Sequence, residues 1–444
     1  MPLSCYMKEW PCRDNPGTVY LYSTRKSSLV RVSQSLLASA RKGTLAEKDL
    51  ATLRRLQLWV DDPAAERAEM ERLVDVNNAR ARRFKGTVVL TLDCNLACPY
   101  CFEDDFRGKK AMDDETARLF MEYVEREHVC RGHDVEVRFY GGEPLMALPR
   151  LKEIAGRLQL AAIEAGTKFS FTMVTNGTLL TRAVAEELVP LGFTAAQLTL
   201  DGPPEIHDLQ RPFVSGKGSF AVIARNIRDV CDLITVHVGG NFTPDNYREF
   251  PRMLDLLLAE GIDPQRLAPV QFAPIMPKSG QRVGHDSGCI GSNAPWLPEA
   301  TLFLQRETLR RGFPVPKPTM GICMIELESD LVINYDGSLY KCPALMGWPE
   351  LSVGTLADGI TDYRASHNLD IWHNDRCLDC AYLPLCFGGC RVMPMLKNGT
   401  IDELDCRKEL YDAVLEEMVT GEAVVENQPS RRRPRKPFLS INHD

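Results

Sequence analysis

No stretch of this 444-residue chain approaches the roughly 20 consecutive apolar residues that a bilayer-spanning helix needs. Its first eleven residues lack a basic segment followed by an apolar one, so they do not read as a secretory signal. Strong charge is missing too. A net charge of −7 gives no reason to expect nucleic acid or an anionic membrane as the main partner. Internal repeats are absent. A cytoplasmic protein is the expectation. With 44% hydrophobic and 25% charged residues, most of the chain should be globular. Its length asks for two or three domains.

What it has in excess is cysteine. There are 15, and ten fall into tight groups. Disulfide frameworks belong mainly to small secreted domains. In a reducing compartment, grouped cysteines more often bind metal or do redox chemistry.

Hydrophobic periodicity divides the chain into five zones. Residues 1–62 read as a small unit: a hairpin of strands over 18–22 and 29–33, then a helix over 45–59 with Leu50, Leu53 and Leu56 at helical spacing. Residues 63–84, rich in Ala, Arg and Glu, read as a connecting helix. From 85 to 317, β-prone runs over 87–92, 135–140, 169–174, 196–200, 235–238 and 270–273 alternate with helical stretches. Asp113 is placed to cap the first of these helices, whose apolar face carries Leu119, Phe120, Tyr123 and Val124. Such alternation implies an α/β fold with a parallel sheet, and chemistry at the carboxyl ends of its strands. Residues 318–425 hold seven more cysteines. The tail over 426–444, with Arg431, Arg432, Arg433, Arg435 and Lys436 among prolines, reads as disordered.

Cys94, Cys98 and Cys101 follow the first strand in a Cys-X3-Cys-X2-Cys spacing. Thiolates are the usual protein ligands of 4Fe–4S clusters, and three local ligands leave one of four irons open. A zinc knuckle short of its fourth ligand is the plain alternative. Gly141-Gly142-Glu143-Pro144 follows the second strand, and glycines there let backbone approach a ligand closely. Asn176 after the third strand either lines a site or caps a turn. Asp201 after the fourth, His207 and Arg211 close behind, and Asn241 after the fifth are further candidates or plain loop punctuation.

This cysteine spacing, with Tyr100 before the last Cys, resembles the signature of the radical S-adenosylmethionine superfamily. The resemblance implies a partial (β/α)6 barrel. It also implies that the open iron is chelated by the amino and carboxylate groups of S-adenosylmethionine, which an electron from the cluster cleaves to a 5′-deoxyadenosyl radical. Tyr100, Gly141, Gly142, Glu143, Asn176, Asp201, Arg211 and Asn241 become the cofactor-binding candidates. Glu143 is assigned to the methionine ammonium, Arg211 to its carboxylate and Asn241 to the ribose.

The second set begins Cys323-X13-Gly337-X4-Cys342 and continues Cys377-X2-Cys380-X5-Cys386-X3-Cys390, then Cys406. A structural zinc ribbon is the bland alternative, although seven cysteines exceed what one zinc needs. The pattern resembles the SPASM domain of radical enzymes that mature peptides, which implies two auxiliary 4Fe–4S clusters. Cys377, Cys380, Cys386 and Cys406 would hold the outer one, and Cys323, Cys342 and Cys390 the inner one. No cysteine lies at 325–330, where some relatives place a fourth inner ligand. Cys289 or a substrate thiolate then completes the set. Sulfatase-maturing relatives place an acid after the residue matching Cys342. Pro343 stands there, which argues against formylglycine formation. Cys5, Cys12, Cys130 and Cys231 are ordinary thiols by default.

Residues 1–62 resemble the small winged-helix-like leader-recognition domains of peptide maturases, with a structural cap as the alternative. The whole chain is similar to the geopeptide and related thioether-forming maturases. The partners this implies are a precursor peptide with a leader and a reductase, ferredoxin or flavodoxin electron donor. A carbon–carbon or carbon–oxygen crosslink, an epimerisation or formylglycine formation are alternative outcomes on the same scaffold. An iron–sulfur electron carrier is the reading from another class.

Overall fold

The computed structural model describes residues 3–101, 103, 107–275 and 294–426. Cys289 and the basic tail from 427 onward lie outside the described residues. Strands β1 (Met7–Pro11), β2 (Thr18–Ser23) and β3 (Ser28–Ser33) form an antiparallel sheet in that order. The expected hairpin is β2–β3. The sequence pattern did not announce β1, because its apolar residues Met7 and Trp10 are three apart and fall on opposite faces. Helices α1 (Gln34–Lys42) and α2 (Glu47–Arg55) follow. Ser33 caps α1 by accepting the Leu36 N–H at 3.1 Å. Val19, Leu21, Val30 and Val32 on one face of the sheet meet Leu36, Leu37, Ala40 and Leu53.

The opposite face is also covered. Tyr22 packs against Tyr382, Leu385 and Leu415. Tyr6 is wholly buried with Met70, Trp372 and Phe387, and its hydroxyl donates to the Leu378 carbonyl at 2.8 Å. Thr24 Oγ1 donates to the Ala381 carbonyl at 2.6 Å. The N-terminal unit is therefore docked on the cysteine-rich region, with apolar surface buried on both sides of its sheet. The connecting helix expected over 63–84 is instead two helices, α3 (Pro63–Glu71) and α4 (Leu73–Arg80), and its last two residues already belong to a strand. The bend at Arg72 serves two attachments. Glu66 accepts from Ser4 at 2.5 Å, whereas Asn78 donates to the Glu326 carbonyl at 2.9 Å.

Six parallel strands come next: β4 (Arg83–Thr91), β5 (Asp134–Gly141), β6 (Phe169–Val174), β7 (Phe193–Thr199), β8 (Thr235–Phe242) and β9 (Gln271–Pro274). They are hydrogen-bonded in chain order. Helices α5 (Asp114–Glu127), α6 (Leu148–Ala165), α7 (Arg182–Leu188), α8 (Pro204–Gln210), α9 (Phe220–Val230), α10 (Phe250–Ala259) and α11 (Leu297–Arg310) lie between and after them. Asp113 caps α5 by accepting the Thr116 N–H at 2.8 Å, and Phe120 and Val124 are buried beneath it.

The cysteine-rich region continues the same sheet. Strand β10 (Asp330–Ile333) pairs parallel with β4, Asp330 opposite Lys85 and Ile333 opposite Val88. Short antiparallel strands β11 (Ser338–Tyr340), β12 (Gly354–Thr355) and β13 (Gly359–Ile360) extend it to ten strands. Helices α12 (Asp375–Leu378), α13 (Leu383–Cys386), α14 (Val392–Asn398) and α15 (Lys408–Glu426) complete the described chain. Strand β4 is thus buried on both faces. Phe84, Val88 and Leu90 enter the large core under the helices, while Val89 and Leu92 enter a second core with Val332, Tyr340, Cys342 and Cys390. Among the described residues no helix is long and apolar enough to cross a membrane.

Docking of the N-terminal unit has a measurable consequence. Tyr6→Ala should destabilise the chain by about 3–5 kcal/mol, as truncation of a buried aromatic does. Tyr6→Phe should cost about 1–3 kcal/mol by leaving the Leu378 carbonyl unpaired. Denaturant unfolding checks both. Wild-type stability in Tyr6→Ala would mean the unit is only loosely attached.

Candidate active site

The first cysteine loop leaves β4 at Thr91 and is pinned along its length. Asp93 accepts the Cys94 N–H at 3.0 Å, and the Ala97 N–H donates to the Pro212 carbonyl at 2.8 Å. Arg107 Nη2 donates to the carbonyls of Cys94, at 3.1 Å, and Leu96. Sequence reasoning passed over Arg107. Its only signal was a lone cation shortly after the cysteines.

Gly141 and Gly142 bring the turn after β5 against this loop. Gly141 has φ +124°, and a Cβ there would lie 2.1 Å from the Thr91 carbonyl oxygen. A Cβ on Gly142 would lie 2.3 Å from that of Asp93. Their backbone lines a cavity of about 370 Å³ that also takes in Cys94, Cys98, Tyr100, Cys101, Asn176, Arg211 and Asn241. Nine of the eleven residues named from sequence for the first cluster and cofactor wall, all but the two carboxylates, thus share one space.

The two carboxylates stand behind that wall. Glu143 was expected at the ammonium, yet it is fully buried and does not line the cavity. Its oxygens accept the Thr175 hydroxyl at 2.8 and 2.9 Å, the Asn176 N–H at 2.8 Å and the Leu145 N–H at 3.0 Å. Burial pushes its carboxyl up, and these donors pull it back. Asp201 is likewise fully buried behind the wall. It accepts the Tyr100 hydroxyl, and the Asn241 N–H at 2.6 Å. A bare carboxylate is costly to desolvate, so both are used to order the loops that present other groups.

Those loops form two networks. Asn176 Nδ2 donates to Asn95 Oδ1 at 2.8 Å and approaches Cys94 Sγ at 3.6 Å, while its Oδ1 accepts from Thr178. Arg211 Nη1 donates to the Tyr100 hydroxyl at 2.6 Å and lies 3.7 Å from Asp201 Oδ2. Burial works against the Arg211 charge, but Tyr100 and Asp201 outweigh it and hold its pKa above the ordinary value. His207 fixes this corner. It takes the Asp201 N–H at Nδ1, at 3.1 Å, and meets Ser219 Oγ at 2.9 Å through Nε2. Ser219 gives its own proton to the Arg211 carbonyl at 2.6 Å, so Nε2 carries the hydrogen. Burial lowers His207 to about 3, which keeps it neutral.

Glu103 and Tyr140 also line the cavity, and sequence reasoning missed both. Burial raises Glu103 to about 7, and its Oε1 has no partner among the described residues. Tyr140, at the end of β5, is pushed up by burial and then by charge on Glu103, Cys101 and Cys342. One side chain therefore faces both the first cysteine set and the inner one.

The grouped cysteines influence one another's ionisation within each group. Burial raises Cys101 to about 11 and Cys342 and Cys386 to about 12. Neighbouring thiols add to the rise: Cys98 acts on Cys94 and Cys101, Cys323 and Cys390 on Cys342, and Cys406 and Cys380 on Cys377. Cys94 accepts the Leu96 N–H at 3.5 Å, and at Cys101, Cys323, Cys342 and Cys386 the backbone N–H two residues on likewise pulls the pKa down. Such N–H groups favour thiolate, but burial opposes it until a cation is bound. This donor set fits iron–sulfur ligation. Among the described residues no group of three His, Cys, Asp or Glu side chains is gathered tightly enough for a single metal ion. A cubane takes one thiolate at each iron and asks for a wider spacing. Of the remaining thiols, Cys12 and Cys231 are buried and Cys5 and Cys130 exposed.

A model of the radical SAM superfamily matches residues 88–257. The serine-type anaerobic sulfatase-maturating enzyme of Klebsiella pneumoniae is 30% identical over 67% of this chain and 78% of its own length. Matching can be shorter, 40% of the length of the Fe-coproporphyrin III synthase of Methanosarcina barkeri and down to 36% of another curated relative's. Among solved structures, native anSMEcpe with bound AdoMet and Kp18Cys peptide superposes with TM-score 0.62 at 20% identity, covering 78% of this chain and 99% of that one. Streptococcus suis SuiB bound to precursor peptide SuiA gives 0.51 at 14% identity, over 91% and 98%.

Gly142→Ala tests the close approach of the two loops. Its Cβ has no room beside Asp93, so binding of S-adenosylmethionine should weaken by roughly tenfold or more, about 1.4 kcal/mol, with far-UV circular dichroism unchanged. Calorimetric titration measures this, and unaltered affinity would mean the turn does not shape the site.

Proposed function

The chain belongs to the radical S-adenosylmethionine superfamily, and from that premise we propose that it modifies a ribosomally made precursor peptide, joining a cysteine sulfur to a carbon as a thioether. The observation that carries this reading is Tyr140, which lines the cavity of the first cysteine set and packs against the same apolar cluster as Cys342 and Cys390. A radical made at the first cysteine set would arise close to the inner set, where a substrate thiol would be held.

In this reading Cys94, Cys98 and Cys101 hold the first 4Fe–4S cluster. Tyr100, Asn176, Arg211, Asn241 and the backbone of Gly141 and Gly142 line the place of S-adenosylmethionine. Cys323, Cys342 and Cys390 hold an inner cluster, and Cys377, Cys380, Cys386 and Cys406 an outer one. Bound there, these groups supply a 5′-deoxyadenosyl radical and a store for one electron. The chain's own residues do the rest. Arg211 offers a permanent positive charge to a carboxylate. Glu103 offers an acceptor to the peptide at the cavity wall. Pro343, opening a tight turn directly after Cys342, leaves no acid at that position, which weighs against sulfatase maturation. An edge of the β1–β3 sheet is the place for a leader to add as a strand, and a reductase, ferredoxin or flavodoxin would deliver electrons.

Reconstituted chain with three such clusters should carry about twelve irons. Replacing Cys94, Cys98 and Cys101 by Ala should remove about a third of them and abolish formation of 5′-deoxyadenosine. Retained cleavage in that variant would sink the assignment. With a precursor encoded nearby, mass spectrometry should show two hydrogens lost together with one alkylatable thiol. Two hydrogens lost with every thiol intact would rule out the thioether.

A further inference from the structure

Arg391 is 1% exposed, one residue past Cys390, and faces Glu326, three residues past Cys323. Both side chains of this pair are wholly out of solvent. Arg391 Nη2 donates to Glu326 Oε1 at 2.5 Å, and the other carboxylate oxygen accepts the Asp370 N–H at 3.2 Å. Nε and Nη1 of Arg391, also buried, have no acceptor among the described residues. Buried N–H groups are nearly always paired, and leaving them unpaired is costly. A purely structural role does not need an arginine, because an apolar pair often serves a core as well.

The surroundings say where those donors are spent. Arg391 follows Cys390 directly, its partner Glu326 lies three residues past Cys323, and Cys323, Cys342 and Cys390 pack against one apolar cluster. The guanidinium is therefore beside the inner set. Its room comes from three successive left-handed residues, Phe387, Gly388 and Gly389, with φ of 41°, 83° and 81°. A Cβ on Gly388 would lie 3.1 Å from Nη1, and one on Gly389 would meet the Asp405 carbonyl at 2.1 Å.

Resting on the assignment of a cluster to Cys323, Cys342 and Cys390, we propose that Arg391, held by Glu326, is a positioning residue that gives its unpaired N–H groups and its charge to that cluster and raises its reduction potential. Hydrogen bonds and positive charge favour the more negative, reduced form. Glu326 works the other way and limits the effect.

The test is a potentiometric titration followed by electron paramagnetic resonance on the fully reconstituted chain. The apolar pair Arg391→Met with Glu326→Leu, which leaves no lone buried charge, should shift the inner-cluster equilibrium at least about tenfold against reduction, about 59 mV lower for one electron. Glu326→Gln, which keeps the arginine, should shift the same signal upward. The other two clusters should not move in either variant. If Arg391 only stabilises the fold, both variants melt at altered temperature with all potentials unchanged, and the proposal is overturned. Should the double variant not fold, the upward shift in Glu326→Gln decides alone. A signal and iron content that are the same in wild type and Cys342→Ala would overturn the inner cluster itself, and the arginine assignment with it.

Discussion

Two carboxylates without access to water, Glu143 and Asp201, hold the top of the barrel together. Each is buried completely, so each must collect enough donors to offset its lost hydration. Glu143 does so by taking N–H and O–H groups from the loop after β6 and from its own turn. Asp201 takes them from Tyr100 in the first cysteine loop and from the end of β8. Satisfying these acids fixes the spacing between loops from five different strands. The cavity that results has its polar faces already aimed, which is what a site must have if it is to orient a reactive ligand.

The second constraint is β4. A strand buried on both faces has to be apolar throughout, and Val88, Val89 and Leu90 meet that demand. One face supports the helices. The other supports the cysteine-rich region, which reaches it by pairing β10 in parallel beside it. The inner cysteines are thereby fixed relative to the loop at the end of the same strand. Tyr140 on the neighbouring strand β5 lies between the two sets. Had the C-terminal region been joined by a flexible linker, no such distance would be set.

The N-terminal unit is tied in by the same logic. Its sheet buries Tyr6 and Tyr22 against the segment that carries Cys377, Cys380 and Cys386.

Much of this was legible from residues alone. The alternation of strands and helices gave the barrel, because periods of 2 and 3.6 are local properties. Cysteine spacing marked the loop at the cavity and the cysteine-rich region behind β4, since thiolate chemistry is specific and rare. Gly141 and Gly142 could be singled out, because a close approach of two backbones leaves a trace in glycine. Other features were beyond its reach. Glu143 and Asp201 looked like ligand contacts, and only burial revealed them as supports. Glu103, Arg107 and Tyr140 carry no motif, and a single charged or aromatic residue says nothing until its neighbours are known. The pairing of β10 with β4 joins residues more than 240 positions apart. Sequence by itself determined the chemistry this chain holds, through side-chain type and local spacing. Tertiary structure alone decided which groups face one another across the cavity, because desolvation and long-range pairing depend on contacts that no local pattern encodes.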